Sequence, residues 1–91
     1  MLRPGGVSRA VRHRTVEELW YFLSGTGEVW LAGQTKRVEA GATVVIPTGV
    51  AFQFRTIGDE PLRFLCFTSP PWPGDGEAEA VGEGGLGPPT V

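Results

Sequence analysis

The chain has 91 residues, 41% hydrophobic and 20% charged, which makes one small domain. Residues 1–69 carry all eight Lys and Arg with six acids, a net charge of +2, whereas residues 70–91 carry four acids and no base, a net charge of −4. A nearly neutral body with an acidic tail lacks the basic stripe of a nucleic-acid binder, and no stretch approaches the length of a membrane span.

The first segment, MLRPGG, has no apolar signal region, so a cytoplasmic protein is expected, with neither nucleic acid nor membrane as partner. Short runs of β-branched and aromatic residues, punctuated by 14 glycines and eight prolines, predict strands at about 6–14, 19–24, 28–32, 35–38, 43–46, 51–56 and 62–68. Gly25-Thr26-Gly27 and Ala32-Gly33-Gln34 supply tight hairpins between them. Pro47-Thr48-Gly49 ends the fifth strand, and Gly58-Asp59-Glu60-Pro61 is a turn before the last. No window carries a helical period, so the fold class is all-β, a sandwich or barrel. Cys66 is the single cysteine, which excludes an internal disulfide; within the apolar run LRFLCF it reads as a buried, inert thiol. From Pro70 onward the chain holds six glycines and five prolines, a composition that divides it into a barrel domain, 1–69, and an irregular acidic tail, 70–91, with Trp72 as the expected anchor.

Two glycine-anchored signatures organise the body. The first runs Gly5, five residues, Val11, one residue, His13, four residues, Glu18, six residues, Gly25. The second runs Gly41, five residues, Pro47, Thr48, Gly49, two residues, Phe52, three residues, Thr56. Together they resemble the paired signatures of the cupin superfamily, which implies a small jelly-roll barrel over roughly residues 5–68. Val11 stands where that family has its first histidine, Phe52 where it has its third, and Thr56 where it has an asparagine. The resemblance implies that those histidines and the glutamate are metal ligands pointing into the barrel.

Strand alternation then places Val7, Arg9, Val11 and His13 inside from the first strand. Glu18, Trp20 and Phe22 follow from the second, and Phe52, Phe54 and Thr56 from the sixth. Arg9, Val11, His13, Glu18, Trp20, Phe22, Phe52, Phe54 and Thr56 are therefore the candidate ligand pocket. Arg9 is positioned to clamp a carboxylate or phosphate if it lines the interior, and stays in solvent if it reaches the barrel mouth. His13 and Glu18 are the candidate acid/base pair and the only remaining candidate metal ligands. Val11 and Phe52 offer no lone pairs, so no metal cofactor, or a weakly held divalent transition metal, is expected. A barrel-lining histidine hydrogen-bonded to Glu18 is the structural alternative for His13. The opposite face of the second strand, Leu19, Tyr21 and Leu23, is also apolar and needs cover, which points to a homodimer. The functional expectation is a small-molecule-binding protein with a degenerate metal site. The alternatives are a metal-dependent oxygenase or isomerase using His13 and Glu18, a metal-free acid/base isomerase, or a structural dimer module with a filled barrel.

Overall fold

A computed structural model describes residues 1–82 and 84–90. These form eight strands: β1 (Val11–His13), β2 (Glu17–Ser24), β3 (Thr26–Leu31), β4 (Gln34–Glu39), β5 (Thr43–Ile46), β6 (Phe52–Ile57), β7 (Arg63–Ser69) and β8 (Ala78–Ala80). They lie in two sheets, a five-stranded one in the order β4-β3-β6-β1-β8 and a three-stranded one in the order β5-β2-β7, and every pairing is antiparallel. The molecule is all-β, a small jelly roll whose two sheets face one another across the core. The seven expected strands are present; the eighth lies in the tail.

Local chemistry sets the turns. Ala32 and Gly33 both have positive φ, 51° and 82°, the backbone of the two-residue hairpin whose twist matches the flanking strands β3 and β4. Alternation sets the faces. In β2, Glu18, Trp20 and Phe22 are buried while Glu17, Leu19, Tyr21 and Leu23 are exposed. Trp20, Phe22, Val29, Val38, Val44, Ile46, Phe52 and Leu62 make one continuous core, with Leu2 closing it at the N-terminal end.

The first strand departs from expectation for a physical reason. Val7 bridges Arg55, and the Ser8 amide donates to the Phe54 carbonyl while the Phe54 amide donates to the Ser8 hydroxyl, but Val11 pairs with Phe52. Arg9 and Ala10 thus oppose Gln53 alone, a β-bulge. Directly paired residues share a face. Val11 and His13 therefore point inward with Phe52 and Phe54, whereas Val7 shares the outer face with Arg55. Arg9 is exposed and Ala10 buried. The bulge breaks the run expected at 6–14 and takes Arg9 out of the barrel interior.

The tail is held by specific contacts. β8 pairs with β1 through Val11↔Ala80, Arg12↔Glu79 and His13↔Ala78. Just before it, the buried Glu77 carboxylate accepts hydrogen bonds from the Thr15 amide at 2.7 Å, the Val16 amide at 3.0 Å and the Thr15 hydroxyl at 2.6 Å. Trp72 is half-exposed, with its indole edge-on to the His13 ring, and Glu77, β8 and the buried Leu86 add further contacts that hold the tail.

Burial alone pushes the Glu77 carboxyl up, but the hydrogen bonds from Thr15, Val16 and Arg14 outweigh it and bring it from 4.5 down to about 2. A depressed folded value means that the clasp contributes fully above pH 4.5 and is lost as pH falls toward about 2. Hydrogen exchange at the Thr15 and Val16 amides should accelerate, relative to the intrinsic rate, across that window and, with Glu77→Gln, already at neutral pH. Unchanged protection at low pH would show that the carboxylate does not hold the tail.

Candidate functional site

β1, β2 and β6 bring His13, Glu18 and Phe52 together at one end of the barrel. The His13 imidazole lies 5.1 Å from the Phe52 ring, edge to face, so both occupy the same interior. On its other side the Trp72 indole stands edge-on at 5.3 Å. His13 is 4% exposed, and its Nδ1 is buried without a hydrogen-bond partner among the described residues. Nε2 lies 3.9 Å from Glu18 Oε1, too long for a hydrogen bond, so the expected His13–Glu18 hydrogen bond is not formed.

The Glu18 carboxylate is engaged elsewhere. Oε1 accepts from the Trp20 indole N–H at 2.9 Å and Oε2 from the Thr68 hydroxyl at 2.8 Å. Thr68 sits directly opposite Glu18 in the β2–β7 pairing, a neighbour that no sequence spacing announces. Cys66, opposite Trp20, is exposed rather than buried, because inward-facing side chains of the outer strand β7 reach the open flank of the sandwich. Partial burial and the nearby Glu18 carboxylate push its thiol up to about 11, so it is protonated and a poor nucleophile at neutral pH.

Deeper in, the space is filled by aromatic rings. Trp20 stacks on Phe64 at 4.6 Å with an interplanar angle of 5°, and Phe54 packs edge-on to Trp20 at 4.6 Å. Phe22 is fully buried against Phe64 at 5.7 Å. Trp20, Phe22 and Phe54 are thus core side chains. Thr56 donates its hydroxyl to the Leu2 carbonyl at 3.0 Å and lies about 13 Å along β6 from Phe52. Of the candidate pocket residues, only Val11, His13, Glu18, Trp20 and Phe52 gather at the His13 end. Arg9 lines a separate cavity on the outer face of the five-stranded sheet.

The four positions where related barrels carry metal ligands hold Val11, His13, Glu18 and Phe52 here. Two of these have no donor atom, and the Phe52 ring fills the space beside the imidazole. Both oxygens of Glu18 are already bonded. No group of three or more His, Cys, Asp or Glu among the described residues is placed to hold a metal ion. The residues present do not fit a tightly bound transition metal.

Comparison with known proteins agrees with the architecture. The family model described as "Cupin domain" matches residues 1–68. An uncharacterised protein of Methanocaldococcus jannaschii is 36% identical over 61 residues, 67% of this chain and 49% of that protein. Mannose-1-phosphate guanylyltransferase 2 of Escherichia coli O157:H7 is 36% identical over 70 residues, 76% of this chain but 14% of that enzyme. The chain therefore spans about half of the first relative's length and a small part of the second's. Among solved structures, a predicted oxalate decarboxylase from Thermotoga maritima superimposes with a TM-score of 0.70 at 25% identity, over 74% of this chain and 58% of that one. With both signatures, the jelly roll and a family match over three quarters of its length in hand, the chain belongs to the cupin domain family.

Proposed function

We propose that the chain binds a small hydroxylated molecule at the His13–Glu18 end of the barrel without a tightly held metal. The observation that carries this is the buried His13 ring, whose Nδ1 has no partner among the described residues and whose Nε2 stops 3.9 Å from Glu18. A buried polar group left unmade costs about 1–3 kcal/mol, and a ligand hydroxyl relieves that cost by donating to or accepting from the imidazole. The Glu18 carboxylate disfavours an anionic group beside it, so a neutral hydroxyl suits the site better than a dicarboxylate. The mannose in the E. coli relative's name accords with a hydroxylated ligand. Trp72 is the half-exposed part of the wall and the part that would swing aside for entry.

His13 is the only histidine, so its ring nitrogens give a single-site NMR readout. D-Mannose should move the His13 ring 15N resonances saturably, and oxalate should leave them in place. No movement with the sugar, or a response to oxalate alone, would overturn the reading. A cytoplasmic setting accords with a lone cysteine, and among the described residues no helix is long and apolar enough to cross a membrane.

A second observation favours self-association. On the outer face of the three-stranded sheet, Leu19 lies between Val45 and Phe67, and Tyr21 between Thr43 and Leu65. Leu19, Tyr21, Leu23, Val45, Leu65 and Phe67 are all exposed. These six side chains present on the order of 500 Å² per copy, so pairing two copies face to face would bury about 1,000 Å², the threshold of a specific interface. Light scattering at micromolar concentration should give a dimer mass, and Phe67→Glu with Leu19→Glu should give a folded monomer. A wild-type monomer would remove the dimer.

A further inference from the structure

The tail does more than cover the five-stranded sheet. After β8 it turns across the outer face of β6 and is pinned again at Gln53, which is fully buried. The Gln53 amide nitrogen donates to the Ser8 carbonyl at 3.0 Å and the Gly87 carbonyl at 2.7 Å, and its oxygen accepts from the Leu86 amide at 2.9 Å. Close approach explains the glycines here. A Cβ on Gly84 would overlap the Gln53 amide, and one on Gly85 would overlap the Trp30 indole. On the other side the Val81 amide donates to the Ala10 carbonyl at 3.0 Å, and the Thr90 amide to the Val7 carbonyl at 2.8 Å.

Between these two sets of pins the bulge at Arg9 and Ala10 leaves a cavity of about 450 Å³, within the range of small-molecule sites. It lies on the opposite face of β6 from His13. Its wall is largely apolar, formed by Ala10, Ala80, Val81, Pro88 and Pro89. Gln53 lines the base, but its donors and acceptor are bonded to the backbone, so it has nothing left to read a ligand. Among the described residues, Arg9 is the only charged side chain lining the cavity, and none of them gives it a carboxylate partner.

We infer that this cavity is a second ligand site, taking a small monocarboxylate with a compact apolar body. The guanidinium of Arg9 pairs with the carboxylate, and the alanine, valine and proline wall takes the body. The bulge supplies the site. It turns Arg9 out of the barrel, and the glycines of the tail let the covering segment approach without filling the space. A planar guanidinium matches a carboxylate with two parallel N–H···O bonds, which a neutral isostere cannot use.

The test is an amide NMR titration of the full 15N-labelled chain with 2-naphthoate, alongside the neutral 2-naphthylmethanol. Saturable shifts are expected at Ala10, Gln53, Val81 and Gly87. Arg9→Gln should weaken 2-naphthoate by about tenfold or more while leaving 2-naphthylmethanol unchanged, as loss of a charge-assisted pair predicts. Ala80→Phe, at an exposed position lining the cavity, should block the probe while the Thr15 and Val16 amides keep their shifts. The proposal is overturned if 2-naphthoate shifts centre on Leu19, Tyr21 and Phe67 or on His13. Equal affinity in Arg9→Gln, or no saturable shift, also overturns it. Because the readout is residue-specific, failure here is separate from failure of the His13 site.

Discussion

Trp20→Ala is expected to abolish most of the stability of this domain. The indole is 5% exposed, stacks on Phe64, packs against Phe52 and Phe54, and donates its N–H to Glu18. Truncating a buried tryptophan costs about 3–5 kcal/mol through lost burial and the cavity left behind. Leaving a buried Glu18 oxygen without its donor adds about 1–3 kcal/mol. A small domain has a total of roughly 5–15 kcal/mol, with short chains toward the bottom of that range. Urea unfolding followed by circular dichroism should show the variant largely unfolded without denaturant. Trp20→Phe keeps ring packing and loses the N–H, so its smaller loss isolates the hydrogen bond to Glu18. A Trp20→Ala midpoint close to wild type would mean that the aromatic cluster does not hold the two sheets together.

The Val11→His, Phe52→His double variant should gain transition-metal affinity by about a thousandfold or more, since each added strong ligand contributes several kcal/mol of the roughly 10–16 of a complete zinc site. Val11 and Phe52 are direct partners across β1 and β6, so the two new imidazoles would stand side by side on the inner face with His13. Phe→His also removes bulk where the ring now packs on His13. Trp20 and Thr68 already orient the Glu18 carboxylate from outside the site, as partners of a metal-bound carboxylate do. Competition with a chromophoric chelator measures the gain, and adding Glu18→Ala or His13→Ala should cancel it. A parent chain that binds zinc as tightly as the double variant would contradict the degenerate-site reading.

How much of this was legible in the sequence depended on whether the signal was local. The alternation of Glu18, Trp20 and Phe22 against Leu19, Tyr21 and Leu23 reads directly as one buried and one exposed face, and the glycine and proline turns mark the strand ends. The convergence of His13, Glu18 and Phe52 was legible only through the family spacing, because three strands contribute. The bulge at Arg9 and Ala10 was not legible, since it arises from the register of β6 on either side of Gln53. β8 was hidden in a glycine- and proline-rich segment because its pairing depends on β1 and on the Glu77 clasp, some sixty residues away in sequence. Cys66 misled for a related reason. Its apolar neighbours suggest burial, and only the position of β7 at the sheet edge exposes it.

The proposed His13–Glu18 site works without a resident metal. Elemental analysis of the purified, gel-filtered chain tests it most directly, with the His13 ring 15N resonances recorded on the same sample. Far less than one transition metal per chain is expected, with His13 resonances indifferent to chelator. About one metal per chain, released together with a shift of those resonances on adding chelator, would contradict it.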